Sequence, residues 1–250
     1  MSEDILKSLE TILQRELTIY KNFTYNGLGY CLDQKFIYSL SLANARLSEI
    51  PSEVFSLSDL KYLSLYQNQL TQIPSEIQNL ENLEILYLAY NNLKQIPPEL
   101  TSLKKLKVLF LQNNNIKTLP DRIGQLSSLE ELRLYNNKLQ SIPESIGQLQ
   151  QLKILWINKN ELNSLPNSIA NLRNLQYFYA NTNNLTSIPD LGNLKKLELL
   201  HLSSNQVINV PDFFSDLPKL QNVDLRRNPL SAESKQYLGT ILESKRQARF

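Results

Sequence analysis

A leucine pattern that recurs every 23 residues constrains this chain more than any other feature. The unit LEELRLYNNKLQSIPESIGQLQQ, residues 129–151, is preceded and followed by similar copies, and one later copy is one residue shorter. The copies begin at Leu60, Leu83, Leu106, Leu129, Leu152, Leu175, Leu197 and Leu220, and a less regular copy begins at Ile37. A fixed period of this length indicates a repeat architecture in which each unit packs mainly against its neighbours.

The segment LxxLxL within each unit predicts a short strand. Leu132 and Leu134 are two residues apart and share one face of an extended chain, whereas Glu131, Arg133 and Tyr135 project from the other face. One such strand cannot bury its apolar face alone, so the copies are expected to stack into a parallel sheet with a continuous leucine spine. The segment IPxxIxxL supplies the crossover that parallel strands require.

The prolines predict the structure of the outer side. Eight of the eleven follow an aliphatic residue in one column of the repeat: Pro51, Pro74, Pro97, Pro120, Pro143, Pro166, Pro189 and Pro211. Proline suits a polyproline segment or a first helical turn, because its missing N–H is not needed there. We therefore expect irregular or 3₁₀ turns on the outer side. These turns are bulkier than the strand spacing of about 4.8 Å, so the stack should curve with the sheet on the concave side.

A column of asparagines lies where each strand bends into its return segment. Its members are Asn68, Asn91, Asn114, Asn137, Asn160, Asn183, Asn205 and Asn228, and the first copy has Ala45 instead. A side-chain amide carries donors and an acceptor, so a buried ladder of amides can satisfy backbone groups that the bend leaves free. The ladder is expected to begin one repeat after the first.

The full pattern LxxLxLxxNxLxxIPxxIxxLxxL resembles the leucine-rich repeat family. It is similar to the 23-residue class found in Ras-associated, plant intracellular and many bacterial leucine-rich proteins. The resemblance implies an α/β solenoid: a curved right-handed horseshoe with a parallel concave β-sheet, an irregular or 3₁₀ convex side and helical caps at both ends. We predict an N-terminal cap over residues 1–36, an array of about nine repeats over residues 37–230, and a C-terminal capping helix over residues 231–250.

The N-terminal cap is expected to contain a helix and a short hairpin. Apolar residues recur at helical spacing within residues 2–20: Ile5, Leu6, Leu9, Ile12, Leu13 and Leu17. This amphipathic helix would cover the open edge of the first repeat. Two extended segments joined near Asp33 follow, and they resemble the hairpin that opens some leucine-rich arrays, in which the cysteine forms a disulfide. Cys31 is the only cysteine here, so we expect a small buried residue.

Composition limits the classes of function. The net charge is +2 and the two signs are intermixed, which argues against a nucleic-acid partner. The sequence has no apolar stretch of about 18 residues, so no membrane span is predicted. One histidine and one cysteine provide no zinc site, and the dispersed glycines provide no phosphate loop, so no cofactor or metal is predicted. The acidic N-terminus lacks the order of a signal peptide, which favours a cytoplasmic location and leaves secretion as an effector open.

The concave face carries the predicted binding site. Strand alternation should expose a set of largely aromatic and aliphatic residues on adjacent strands: Tyr62, Tyr66, Ile85, Tyr87, Val108, Phe110, Glu131, Arg133, Tyr135, Ile154, Trp156, Tyr177, Tyr179, Leu199 and His201. Columns of small or polar residues, including Ser39, Ser41 and Ser64, are expected to face solvent at the first repeats. An aromatic patch of this size is typical of a partner-binding surface.

We therefore predict a non-enzymatic module that binds a protein or peptide on its concave aromatic face and is a monomer, with self-association left open. Two other readings remain: a carbohydrate or small-ligand receptor, and a structural module or piece of a larger signalling or effector protein. Aromatic residues also favour strands without any ligand. His201, Ser203 and Asp224 resemble a hydrolytic triad, but a serine two positions along a strand should point parallel to the histidine, and a flat sheet offers no oxyanion hole.

Overall fold

The computed structural model describes residues 2–247, and side-chain burial is defined from Glu3 to Ile241. Its elements are α1 (Ser2–Leu13), β1 (Thr18–Ile19), β2 (Leu28–Asp33), β3 (Phe36–Leu42), β4 (Tyr62–Ser64), β5 (Ile85–Tyr87), β6 (Val108–Phe110), β7 (Glu131–Arg133), β8 (Ile154–Trp156), β9 (Tyr177–Tyr179), β10 (Leu199–His201), β11 (Asn222–Asp224) and α2 (Ala232–Gln247). The strands form one sheet in sequence order. Only β2 and β3 pair antiparallel among the described strands, so the predicted curved right-handed solenoid is confirmed.

Strand register follows the repeat. Phe110 lies opposite Arg133, and Arg133 lies opposite Trp156, so residues 23 positions apart are neighbours across the sheet. The leucines between them point the other way and form the spine, in which Leu109 and Leu132 are fully buried. The shortened copy keeps this register, because a turn closed by the Gly192 N–H and the Asp190 carboxylate (2.8 Å) replaces its 3₁₀ turn.

The convex side has the predicted 3₁₀ turns: Ser52–Ser56, Ser75–Asn79, Pro98–Ser102, Ile123–Gln125, Glu144–Gln148, Asn167–Asn171 and Phe214–Asp216. The column prolines lie before these turns in extended conformation, as at Pro143 with φ −70° and ψ 151°. These turns approach each other closely. A Cβ atom on Gly124 would lie 2.1 Å from the Ser145 carbonyl oxygen, so only glycine fits that contact.

The asparagine ladder is also confirmed. The Asn137 amide donates to the carbonyls of Leu111 and Leu134, both at 3.0 Å, and its oxygen accepts from the Ile116 N–H at 3.0 Å. The ladder begins at the second repeat, where Asn68 accepts from the N–H of Ala45. Each amide therefore joins its own repeat to the preceding one, and satisfies buried backbone groups that no water could reach.

Sequence reasoning missed the backbone conformation of the position before each ladder asparagine. These residues have φ between 53° and 59°: Gln67, Tyr90, Asn113, Asn136, Lys159, Thr182, Ser204 and Arg227. The left-handed conformation turns the strand into its return segment. Only the two asparagines in this column favour that conformation, and Thr182 is strained because its side chain is β-branched.

The first helix is shorter than predicted. It ends at Leu13 rather than at residue 20, because Gln14 turns the chain with φ 52°. Leu17 is still buried, but it follows the helix, and its N–H is bonded to the Glu10 carboxylate at 2.9 Å. Thr18 then enters the sheet as part of β1, for which its β-branched side chain is suited.

Both ends of the array are capped as expected. The Ser8 hydroxyl of α1 donates to the Glu53 carboxylate on the first 3₁₀ turn at 2.8 Å, and Cys31 is a buried free thiol in the predicted hairpin. Ser231 caps α2, because its hydroxyl accepts from the Ser234 N–H at 3.2 Å. The division at residues 36 and 230 stays a prediction, and Met1 and residues 248–250 lie outside the described residues.

Candidate docking surface on the concave face

The predicted surface residues lie on one face of the sheet. All fifteen are half-buried, from Tyr62 on β4 to His201 on β10, whereas the residues that alternate with them in the strands are buried. Phe110 and Trp156 stand outside the leucine spine. The alternation argument is therefore confirmed for these side chains, and a partner could reach them without any change in the core.

The middle column forms a continuous run of ring contacts, which we call the aromatic ladder: Tyr87, Phe110, Arg133, Trp156 and Tyr179. The Tyr87 and Phe110 rings meet edge to face at 4.8 Å, and Trp156 lies 4.6 Å from Tyr179. The Arg133 guanidinium joins the two halves, because its central carbon lies 4.3 Å from the Phe110 ring centre and 4.8 Å from that of Trp156. These distances allow cation–π attraction on both sides.

Local ion pairs neutralise the charges of this face. Arg133 donates its Nε–H to the Glu131 carboxylate at 2.5 Å, which fixes the guanidinium between the rings. Burial raises the pKa of the Tyr87 and Tyr135 phenols, so both hydroxyls stay protonated. At the C-terminal end, a two-point hydrogen bond from the guanidinium of Arg226 lowers the pKa of Asp224 to about 2.

Three buried polar atoms lie beside the aromatic ladder. Trp156 Nε1, Gln112 Oε1 and Asn158 Oδ1 are buried and have no hydrogen-bond partner within the described residues. Such atoms are uncommon in folded proteins, because a buried group without a partner costs about 1–3 kcal/mol.

The N-terminal end of the face is covered, contrary to prediction. Ser39, Ser41 and Ser64 are only 1%, 2% and 0% exposed. Residues 21–27, which we call the strap, cross the sheet here between β1 and β2. Phe23 and Tyr25 of the strap reach over β4 and β5, so the small residues that should have faced solvent lie beneath a second layer of chain.

Specific contacts hold the strap in place. The Phe23 ring stacks on Tyr62 at 5.4 Å, and the Tyr25 ring stacks on Tyr87 at 5.1 Å and meets Tyr66 edge-on at 5.5 Å. The sequence contained a signal for this contact, because NFTYN places two aromatic residues outside any column of the repeat.

Strand alternation also places Ala43, Ala89 and Gln112 on the outward side, in the column that holds Tyr66 and Tyr135, but these three residues are buried. Ala89 has larger neighbours in both adjacent repeats, Tyr66 and Gln112, and an alanine methyl does not extend beyond them. Ala89 is therefore covered by the larger side chains on either side of it.

His201, Ser203 and Asp224 are arranged differently from the prediction, but they do not form a catalytic triad. His201 Nε2 lies 2.8 Å from Ser203 Oγ, so the serine does not point parallel to the histidine as predicted. Asp224 Oδ2 lies 3.0 Å from the same nitrogen. A hydrolytic triad needs the serine and the carboxylate on different ring nitrogens, and here both contact one.

Two further features of the described chain bear on function. No three potential metal-ligating side chains come together within residues 2–247. None of the helices in that range has the length and apolar character that a bilayer crossing requires.

A stack of 23-residue units with a concave parallel sheet and an asparagine ladder defines a leucine-rich repeat solenoid. The family model for the leucine-rich repeat region matches residues 36–141 and 132–244, and the chain belongs to this family. No curated protein matches the chain. Members of this family are typically non-enzymatic interaction modules.

Several solved structures are similar to this chain. An internalin from Listeria monocytogenes is 23% identical with a TM-score of 0.74, over 94% of this chain and 68% of that one. The ectodomain of the Arabidopsis thaliana receptor kinase GASSHO1/SCHENGEN3, solved with CASPARIAN STRIP INTEGRITY FACTOR 2, is 38% identical with a TM-score of 0.70, over 77% of this chain and 24% of that one. The plant peptide hormone receptor RGFR1, solved with RGF2, is 34% identical with a TM-score of 0.67, over 73% and 30%.

Proposed function

We propose that this protein is a non-enzymatic interaction module that binds a protein or peptide on the open part of its concave face. The observation that carries the proposal is the open stretch of the aromatic ladder, Phe110, Arg133, Trp156 and Tyr179, which is half-exposed and outside the core. Tryptophan, tyrosine and arginine are the residues most enriched at binding hot spots. Their contacts with one another hold the rings in place, so little side-chain freedom is lost when a partner binds.

Polar groups around the ladder support a peptide or protein partner. Arg133 uses its Nε–H for Glu131, which leaves its two terminal amino groups free to donate to carbonyl oxygens of a partner. Ile154, beside Tyr177 on the next strand, supplies apolar contact next to Arg133.

The similar plant structures favour the same class of ligand. GASSHO1/SCHENGEN3 and RGFR1 were both solved as complexes, and RGFR1 is described as a peptide hormone receptor. This chain spans about a quarter to a third of the length of those receptors, so the similarity supports a kind of partner and no particular one.

A carbohydrate receptor is the second candidate function. Half-exposed aromatic rings such as Trp156 and Tyr179 also stack on sugars. Ile85, Val108 and Ile154 on the same face favour a protein, because a sugar gains little from aliphatic contact. A glycan array with a specific hit, together with no protein partner, would reverse this order.

Affinity purification from the source cell tests the proposal. The wild type is compared with the double variant Phe110→Ala and Trp156→Ala, and with Ile208→Ala as matched control. Ile208 is 52% exposed and lies outside the concave columns, so its loss removes exposed apolar surface of another region. We expect the wild type and the control to retain the same partner and the double variant to lose it.

Stability must be measured on the same samples. The double variant should stay folded, because neither ring belongs to the leucine spine. If all three proteins retain the partner equally, the concave face is not the docking surface. If none binds a protein, the chain is a structural module.

We also propose a monomer in a reducing compartment such as the cytoplasm. The support is Cys31, a buried free thiol in the opening hairpin. Gel filtration of the purified protein, and localisation of a tagged form in the source cell, test the two parts separately.

A further inference from the structure

The strap is held the way a protein holds an extended peptide ligand. Three successive carbonyl oxygens each accept a hydrogen bond from a different side chain: Ser64 donates to Tyr25, Asn44 to Asn26 at 3.3 Å, and Ser41 to Gly27 at 2.6 Å. These donors come from two neighbouring repeats, Ser41 and Asn44 from the first and Ser64 from the second. Backbone carbonyls bound by side chains and rings placed in shallow contacts are the features of peptide recognition, independent of which chain supplies the peptide.

Aromatic residues of the strap alternate like those of a bound strand. Phe23 and Tyr25 are two residues apart and both contact rings on the sheet. Thr24 lies between them, and its hydroxyl donates to the Asn26 side chain within the strap at 2.9 Å. The surface beneath therefore recognises the pattern aromatic–any–aromatic, and its hydrogen-bonding groups are neutral hydroxyls and an amide.

The strap is laid on the face and is not built into the core. Among the described residues, no backbone N–H of residues 21–27 donates a hydrogen bond. The spine leucines Leu40, Leu63 and Leu86 point to the opposite side of the sheet and are completely buried there. Tyr25 is itself 45% exposed. Removing the strap would uncover hydroxyls and rings without opening the leucine spine.

We propose that the surface beneath the strap is a second peptide-binding site, selective for an extended segment with two aromatic residues separated by one residue. The strap is its exchangeable occupant. A partner protein that carries such a segment displaces Phe23 and Tyr25. The Tyr87 ring contacts both Tyr25 and Phe110, so the same segment can continue onto the open ladder. This inference goes beyond the proposed function, because it concerns the residues that the strap covers.

A labelled synthetic peptide with the sequence of residues 20–27, YKNFTYNG, is the probe. Its binding is measured by fluorescence anisotropy to the wild type and to the double variant Phe23→Ala and Tyr25→Ala. The tethered strap has an effective concentration on the order of millimolar, so the wild-type site is filled. We expect the variant to bind the probe at least about ten times more tightly than the wild type. The control probe YKNATANG should bind neither protein.

Two further variants separate this site from the open ladder. In the Phe23→Ala and Tyr25→Ala background, Ser64→Ala should weaken probe binding. This substitution removes the hydroxyl that donates to the carbonyl oxygen of the second aromatic residue, Tyr25 in the strap. Trp156→Ala in the same background should leave probe binding unchanged. Loss of probe binding with Trp156→Ala would mean that the peptide binds the open ladder, which would overturn this inference and leave the proposed function intact.

Other outcomes also overturn the inference. A folded double variant that does not bind the probe shows that the surface recognises its own chain only as part of the fold. Equal binding by wild type and variant shows that the strap does not occupy the site. If the double variant fails to fold, Tyr25→Ala alone repeats the test with a smaller expected gain, and failure of that variant to fold would show that the strap is part of the core.

Discussion

The two halves of the concave face have the same strand pattern, but the strap covers only the N-terminal half. Tyr87 on β5 and Tyr179 on β9 occupy the same column of the repeat. Tyr87 contacts Phe23 and Tyr25 of the strap, whereas Tyr179 contacts Trp156 and His201 on the adjacent strands and faces outward. Strand alternation therefore determines which side of the sheet a residue is on. It does not determine whether another part of the chain covers that side.

Side-chain size explains the difference between the two halves. Ser41 and Ser64 occupy the column that holds Phe110, Arg133 and Trp156 in later copies. A hydroxyl leaves room for the strap backbone to approach and also donates to its carbonyls. Rings of the size found further along would fill that space, so the strap backbone lies over Ser41 and Ser64, and only its aromatic rings reach Tyr87.

The largest effect is expected from breaking the asparagine ladder beneath the open half. Asn183→Ala removes the donor to the carbonyls of Ile157 and Ala180 and the acceptor for the Leu162 N–H. Three buried backbone groups would lose their partner, so we expect a loss of about 3 kcal/mol in the free energy of unfolding. Chemical denaturation measures this loss. Asn184→Ala, at an exposed neighbouring position, is the matched control and should change stability by less than about 0.5 kcal/mol.

The comparison of the two halves is tested most sharply by removing the same ring from each. Tyr87→Ala should cost about 2 kcal/mol, because it removes contacts with Phe23, Tyr25 and Phe110. Tyr179→Ala should cost about 1 kcal/mol, because it removes only contacts with Trp156 and His201 on the adjacent strands. Thermal denaturation of both variants measures the difference. Equal losses would show that the strap adds no packing to the covered half.

A smaller effect is expected from acid at the C-terminal end of the open half. The folded pKa of Asp224 is about 2, below the value of about 3.9 in an unfolded chain, so its carboxylate stabilises the fold above pH 4. This contribution is lost as pH falls from about 4 to 2, and we expect about 1 kcal/mol because Arg226 is exposed and salt screens the pair. The difference in free energy of unfolding between wild type and Asp224→Asn should become smaller as pH falls over that range, as measured by urea denaturation. A difference that stays constant with pH would contradict a stabilising Asp224–Arg226 pair.

The smallest effect is expected at the left-handed column, which both halves share. Thr182 has φ 57° and is exposed, and asparagine is the residue that the same column uses at positions 113 and 136. Thr182→Asn should raise the free energy of unfolding by about 0.5 kcal/mol, because asparagine tolerates this conformation better than a β-branched residue. A lower melting temperature would show that the threonine has a contact that outweighs its strain.

Sequence periodicity predicted the parts of the molecule that repeat. The leucine spine, the ladder from Asn68 to Asn228 and the outward position of Trp156 all depend on contacts between residues about 23 positions apart. Each copy supports the same assignment, so these predictions rest on many equivalent residues. The end of α1 at Leu13 was missed, because apolar residues continue at helical spacing through Leu17. The left-handed column was missed, because most of its residues do not favour a positive φ.

The strap could not be predicted by the same reasoning. It occurs once, and its contacts join residues 21–27 to strands that lie up to about 60 residues later in the chain. A local pattern contains no information on where such a segment packs. The burial of Ser64 is a consequence of the strap, so this part of the predicted surface was wrong for a reason that lies outside the repeat.

Trp156 is the only tryptophan of the chain and lies at the centre of the proposed docking surface, so its fluorescence tests the central claim most directly. Acrylamide quenching is measured with and without the partner retained by the wild type. We predict that the partner shifts the emission to shorter wavelength and lowers the quenching constant at least about twofold, because it covers the half-exposed indole. Unchanged emission and quenching, while an independent assay shows full binding, would contradict a docking surface on the open ladder.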